Sequence, residues 1–444
     1  MRATSNAYRV LHPFTFMGDM QELTVEAVQE QYVCLKGGKG SWVFDNQGNS
    51  YLYLTTAVPT LGLGHERVVE QISEQYKTLS FASTCAQSHE LVQPLAERLL
   101  SLADGPYSSV FFANDGSGAV ESAMKLARQY WMKKGQMNRT KFVSLSGNYH
   151  GTTFGSGSVT HMGIQEQFGP ALEGCLSAPA PHLYHPPIEG GEEAVVDYCL
   201  EQLEALIEQE GAETIAAVLI EPIQGVNGVV LFPDRYWHGF QQLVRQYDIL
   251  MIADEVGTGI GRTGHWFASH RYQLEPDLLI VSKGLTGGYF PMGATLISHH
   301  MMETLYAGGG IFLHGSTMCG HPVGCAAALA VLDVIEEQQL VEHAARVGNR
   351  MLEQLRDALD DHPQVGEVRG MGMMLAIEFV DDQATRQPVN PQWGQALTQH
   401  LRSEGILGNF FNSTLAMYPP LTLSQKEAEF VVNGVVQAVR RTGE

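Results

Sequence analysis

At 444 residues, with 44% hydrophobic and 17% charged side chains, the chain can bury a large core in two or three lobes and is too apolar for disorder. Its formal net charge of -21 gives no electrostatic footprint for nucleic acid, and no apolar run approaches the ~18 residues needed to span a bilayer. Six cysteines stand singly at 34, 85, 175, 199, 319 and 325, without a C-x-x-C or clustered histidines, which argues against a metal site or a disulfide frame. Together with an opening, MRATSNAYRVLHPFTF, that lacks a signal-peptide core, this suits a reducing cytoplasm.

Residues 1–60 carry two strand-like pieces around the turn DNQGN at 45–49. From about 105 to 330 short apolar runs alternate with helical patterns. The candidate strands are SVFFA (109–113), KFVSL (141–145), AAVLI (216–220), ILMIA (249–253), LLIVS (278–282) and GATLIS (293–298). Several are apolar throughout, as strands buried on both faces should be. Among the helices, AVESAMKLARQYWMKK places Val120, Ala123, Ala127 and Tyr130 on one stripe. The alternation predicts an α/β layered fold with a mainly parallel sheet. From 331 the pattern reads as one helix over 333–359, a strand at MMLAIEF (373–379), a helix, and a last helix after PPLTLS. The expected organisation is a large domain over 61–330 and a smaller α+β domain built from 1–60 and 331–444.

An open α/β sheet binds its ligand beyond the carboxyl ends of its strands. Asn114 to Ser117 follow the first run, Glu221 to Gln224 the third, Asp254 and Glu255 the fourth, and Lys283 the fifth. A lone acid in such a place is more often a solvated loop charge, but recurrence at one end of one sheet weakens that reading. The stretch ILMIADEVGTGIGRTG contains G-x-G-x-x-G. Two carboxylates between strand and glycines would repel a pyrophosphate, and no helix opens at RTGHWFAS, so a dinucleotide loop is disfavoured. A strand-end aspartate with a lysine at another strand end suits pyridoxal 5'-phosphate instead. The lysine amine takes the aldehyde, and the aspartate keeps the pyridine nitrogen protonated. Gly116, Ser117 and Gly118 open a helix whose free N–H groups could take the phosphate, although the two glycines could equally serve a plain turn.

With these residues in place, the chain resembles the class III (ω-amino acid) family of pyridoxal phosphate-dependent aminotransferases of fold type I over nearly its whole length. MIADEVGTGIGRTG is similar to the family's D-E-V-x-T-G-x-G-R-T-G, and SKGLTGGYFPMGA to its lysine segment. VFFANDGSGAVESAMKLAR, YHGTTFG, LIEPIQG, FLHGSTMCGHPVGCAAALA and VRGMGMMLAIEF match further segments. The resemblance implies that Lys283 links to the cofactor and then moves a proton between Cα and C4′, and that Asp254 pairs with the ring nitrogen. It implies that Val256 and Tyr149 pack on the two ring faces, that Gly116 and Ser117 bind phosphate, and that Glu221 supports the Asp254 side. Thr317 would reach the phosphate of the other subunit's cofactor, making a homodimer the minimum assembly. His150 is expected to orient its loop rather than do chemistry, with Arg262 and Trp266 packing near the glycine loop.

Departures from the family pattern bear on substrate. Many members carry an arginine three residues before the C-terminal P-P-L, which grips a carboxylate, and a glutamate after E-P-(I/V)-Q-G that pairs with it. Here TLAMYPPL has Ala416 and EPIQGVNG has Val226. Losing both is consistent, since an unpartnered buried charge is costly. LHPFTFMGD, YHGTTFG and FLHGST resemble diaminopelargonic acid synthases, but that subfamily's tryptophan pair and acid are replaced by Thr56, Ala57 and Thr152. Gly118 stands where most relatives have a side chain. Phe14, Tyr149, Phe290, Phe312, Phe410 and Phe411 are candidate pocket aromatics, with Phe14, Tyr149, Val226 and Ala416 the positions nearest to substrate choice. The expected activity is ping-pong transfer of an amino group between an amine or ω-amino donor and an aldehyde, ketone or 2-oxo acid, on a substrate with an apolar part. A racemase, aminomutase or decarboxylase of the same fold would share Lys283 and Asp254, and a diaminopelargonic acid synthase remains an alternative. A non-catalytic binding paralogue is disfavoured by the intact pair.

Overall fold

Seven short strands build the central sheet of the computed structural model, which describes residues 8–15, 24, 25, 27, 28 and 32–443. They are β1 (Tyr107–Ala113), β2 (Lys141–Leu145), β3 (Cys175–Ala178), β4 (Ile215–Ile220), β5 (Leu250–Asp254), β6 (Leu278–Val281) and β7 (Gly293–Ser298). Their order across the sheet is β1-β7-β6-β5-β4-β2-β3, with β7 antiparallel to both neighbours and every other contact parallel. β4, β5 and β7 are buried at every residue, which explains why they read as unbroken apolar runs.

Successive side chains on these strands serve opposite faces. Val218, Ile220 and Met251 pack with Val196, Leu203, Trp237 and Phe240 of the helices Glu192–Glu210 and Asp234–Gln246. Ala217, Leu219, Leu250 and Ile252 pack on the other side with Val120, Ala123, Ala127 and Tyr130 of the helix Gly116–Lys133. Each Val, Leu or Ile removed from water here contributes about 1.5–3 kcal/mol. The fold is α/β with a mainly parallel sheet, as the alternating pattern predicts.

Two features depart from the sequence reading. β3 was not anticipated; it is a four-residue edge strand, CLSA, that is only half buried. The helix expected over 333–359 is two, Pro322–Glu337 and Leu340–Leu359, broken at Gln339 in the left-handed region (φ 51°). The first is buried nearly all round, whereas the second is amphipathic, and one straight rod could not satisfy both packings.

The strands Trp42–Asp45 and Ser50–Tyr53 form a hairpin, whose turn is held by Asp45 accepting the N–H groups of Gln47 (2.9 Å) and Asn49 (2.8 Å). Ser50–Tyr53 also pairs in parallel with Ile406–Leu407, Leu52 opposite Ile406, so both ends of the chain share one sheet. A further antiparallel sheet joins Val365–Met371, Met374–Asp382, Thr414–Met417 and Asn409–Phe411.

Candidate active site

Three neighbouring parallel strands deliver three ionisable groups to one edge of the sheet. Glu221 follows β4, Asp254 ends β5, and Lys283 stands one residue beyond Ser282 after β6. Asp254 is buried; its Oδ2 lies 2.8 Å from Nδ1 of His150, and its Oδ1 accepts the N–H of Val256 at 3.0 Å. Glu221 is buried too, and accepts the N–H groups of Tyr149 (2.7 Å) and Gly225 (3.0 Å). Burial pushes the Glu221 carboxyl up to about 7; the Asp254 charge adds to this, while the N–H groups of Tyr149 and Gly225 oppose it. Burial raises the Tyr149 phenol, and the charges of Asp254 and Glu221 push the same way.

Burial also holds the Lys283 amine below the ordinary lysine range, with Asp254 and Glu221 opposing and Arg262 adding. A lower value favours the uncharged amine that attacks a carbonyl. Among the described residues Lys283 Nζ has no hydrogen-bond or ion-pair partner. Its backbone has φ +33°, a left-handed conformation that costs a residue with a side chain about 1–3 kcal/mol. The surroundings hold it there: Ser282 Oγ donates to the Met292 carbonyl at 2.8 Å, and Leu285 N–H closes a turn onto Ser282 O at 2.7 Å.

The helix Gly116–Lys133 points its N-terminus into the same region. Asp115 caps it by accepting the N–H of Gly118 at 2.7 Å, and Ala119 N–H bonds Asp115 O, which leaves the N–H groups of Gly116 and Ser117 without partners among the described residues. A Cβ on Gly116 would lie 3.1 Å from Val256 Cγ1, so the glycine lets the helix end approach the Asp254 loop. Gly151 (φ +121°) does the same for the Tyr149–His150 turn, where a Cβ would lie 2.3 Å from Ser117 Oγ. An unpartnered amine, a buried carboxylate and two free N–H groups beside a hydroxyl at a helix N-terminus are the donor set that pyridoxal phosphate requires, and the cradle fits it.

A family model described as "Aminotransferase class-III" matches residues 24–439. The chain belongs to the class III aminotransferases. It is similar to an adenosylmethionine-8-amino-7-oxononanoate aminotransferase of Geobacter sulfurreducens, 33% identical over 97% of this chain and 95% of that one. It is also similar to a putrescine–pyruvate aminotransferase of Pseudomonas aeruginosa, 33% identical over 95% of this chain and 92% of that one. Among solved structures, an amine transaminase from an uncultivated Pseudomonas species in a PLP-bound form superposes with a TM-score of 0.92, at 36% identity over 98% of this chain and 99% of that one. The chain is therefore an enzyme, its cofactor is pyridoxal phosphate, and its reaction class is transamination.

In this aminotransferase the loop after Gly225 starts at the Glu221 carboxyl, which accepts the Gly225 N–H. Val226 is 40% exposed and, with His182, His185, Asn227, Phe411 and Thr414, lines a cavity of about 270 Å³. Ala416 is buried, opposite Asn409 and Ala376 in its sheet. Arg369 approaches from behind, donating Nε–H to the Gly228 carbonyl at 2.8 Å, but its guanidinium is held by Glu367 (2.6 Å) and Glu378 (2.5 Å). Phe411 is exposed at that cavity; Phe410 packs with Phe379 and Trp393 instead, Phe312 with Phe111, and Phe290 stacks on His321. Phe14 is 75% exposed, and Thr317 is exposed.

Other residues have places the sequence did not signal. His150 contacts Asp254 directly rather than only shaping its loop. Arg262 is buried, donating to the carbonyls of Met373 (3.2 Å), Pro419 and Ala57 (3.5 Å), so it ties the glycine loop to both terminal segments. Gly118 has no steric reason to be glycine, since a Cβ there would meet nothing closer than 3.5 Å.

Proposed function

We propose that the enzyme takes its amino group from an amine whose body is apolar and which carries no carboxylate at the Val226–Ala416 position. The carrying observation is electrostatic. The cavity beside Val226 is lined by no lysine or arginine, and the nearest arginine, Arg369, is neutralised by Glu367 and Glu378. With no free cation to offset its desolvation, a carboxylate would be costly to bury there. The chain's overall charge of -21 also favours approach of a cationic amine over an acid.

Pyridoxal phosphate, when bound, supplies the aldehyde that takes up the amine and a ring that accepts electrons from Cα. Lys283 would move the substrate's Cα proton, helped by an amine already held below its ordinary range. Asp254 holds the proton on the pyridine nitrogen. Gly116 and Ser117 would hold the phosphate through N–H and hydroxyl groups, and Val256 and Tyr149 would flank the ring. Glu221 fixes the Tyr149 turn. Thr317 serves the partner's site in a homodimer, which also accounts for its exposure. Residues 61–330 form the cofactor-binding domain, 1–60 and 331–444 the smaller one, and the enzyme works in the cytoplasm.

The test is a donor screen on the cofactor-loaded protein, following loss of the cofactor's visible absorbance. Aryl- and alkylamines should react faster than α-amino or dicarboxylic donors. A clear preference for short acidic amino donors would overturn the proposal, and mass spectrometry of both products would show whether nitrogen passes between molecules.

A further inference from the structure

Asp254 can hold a ring N–H only while it is itself ionised, and a buried carboxylate needs help to stay so. One neighbour is His150, whose effect depends on which ring nitrogen carries the proton. The surrounding hydrogen bonds determine this from a single unambiguous group, the Ser146 backbone carbonyl.

A carbonyl oxygen only accepts, so the Gln224 atom 2.8 Å from Ser146 O is the amide nitrogen, Nε2. The second N–H of that nitrogen points at an Asn148 side-chain atom 2.7 Å away, which must then be the acceptor Oδ1. The other end of the Asn148 amide is therefore Nδ2, a donor, and it faces His150 Nε2 at 3.2 Å. Nε2 must accept, so the imidazole proton sits on Nδ1, which donates to Asp254 Oδ2 at 2.8 Å. The remaining Gln224 oxygen is occupied by Asn227 Nδ2 at 2.9 Å, on the loop beside Val226. Asn148, His150, Gln224 and Asp254 are all buried, so no water competes for these positions.

We infer that Gln224 and Asn148 are positioning residues that lock His150 in its neutral, Nδ1-protonated form, and through it hold Asp254 ionised for the ring nitrogen. Flipping any one amide sets donor against donor or oxygen against oxygen, so the lock is cooperative along its length. The titratable groups facing the imidazole are Asp254 on β5, Glu221 after β4, and His161, with Lys283 beyond Asp254. The inference rests on the reading of Asp254 as the ring partner, but the proton position on His150 can be tested without it.

The experiment uses cofactor-free protein labelled with 15N-histidine. Long-range 1H–15N correlation locates the proton, and His150 is assigned by comparison with His150→Gln. The wild type should show Nδ1 protonated and Nε2 bare. Gln224→Glu, two residues removed from the imidazole, replaces a donor by an acceptor, turns Asn148 over and should protonate Nε2. Asn148→Asp should do the same directly. Asn227→Ala leaves Ser146 pinning Gln224 and should keep the wild-type pattern. In loaded enzyme, both inverting variants should shift the pH midpoint of the cofactor's absorbance change by at least about one unit, a tenfold change in proton affinity. A wild-type His150 protonated on Nε2, or a proton position that neither variant changes, overturns the inference. Inversion as expected with an indifferent cofactor spectrum overturns instead the role given to Asp254.

Discussion

The Glu221 carboxyl sets a measurable slope on stability against pH. Its value rises from 4.5 to about 7 on folding, and it is 6% exposed. The folded chain thus holds this proton more tightly than the unfolded chain. The group's contribution is complete below about pH 4.5 and is lost as pH rises through about 7. The shift corresponds to about 3 kcal/mol in all, of which roughly 2 kcal/mol falls between about pH 5.5 and about pH 8.5. Glu221→Gln removes the titration. Its amide can accept only one of the N–H groups from Tyr149 and Gly225, which adds a penalty of about 1–2 kcal/mol that does not vary with pH. Urea unfolding of cofactor-free protein at one fixed concentration should therefore give a stability difference, wild type minus variant, that shrinks by about 2 kcal/mol from pH 5.5 to 8.5. Two curves that stay parallel would refute the reasoning, and the carboxyl would then be ionised throughout.

Three further outcomes are expected. Gly151→Ala puts a methyl 2.3 Å from Ser117 Oγ on a backbone at φ +121°, and should raise the cofactor dissociation constant about tenfold, or ~1.4 kcal/mol, as measured by fluorescence titration. Arg262→Met leaves the Met373, Pro419 and Ala57 carbonyls without their donor, and should lower stability by about 2 kcal/mol, read as a drop in thermal midpoint. Restoring both charges, as Val226→Glu with Ala416→Arg, should raise the rate with acidic amino donors relative to amines by at least about tenfold in paired kcat/KM assays.

The parts of the fold that were legible are those whose burial is uniform. β4, β5 and β7 have no solvated face, so their sequences contain no polar interruption and announce strands directly. β3, half exposed and four residues long, carries no such signal, and neither does the pairing of Ile406–Leu407 with Ser50–Tyr53, which depends on contacts 354 residues apart. The break at Gln339 was illegible because glutamine is an ordinary helix former; the turn is imposed by packing. In the site, Glu221, Asp254 and Lys283 could be read because strand ends are places the chain order predicts. The network of Asn148, His150 and Gln224 could not, since Asn148 and His150 share one turn but Gln224 joins them from 76 residues further along the chain, a meeting that follows no spacing. Gly151 was readable only as part of a motif, and its reason, room for the Ser117 hydroxyl, is a matter of three-dimensional approach.

The parallel pairing of Leu52 with Ile406 also has a consequence for synthesis. A ribosome adding about 5–20 residues per second needs roughly 20–70 s to pass from one to the other. During that interval the hairpin Trp42–Tyr53 has an open edge and no permanent neighbour on it. A nascent chain stalled before residue 406 would display that edge alongside a central sheet still lacking the core side chains of Leu415, Met417 and Leu421, a form suited to chaperone capture or to pairing with another nascent chain. The last few dozen residues then decide whether the first strands stay soluble.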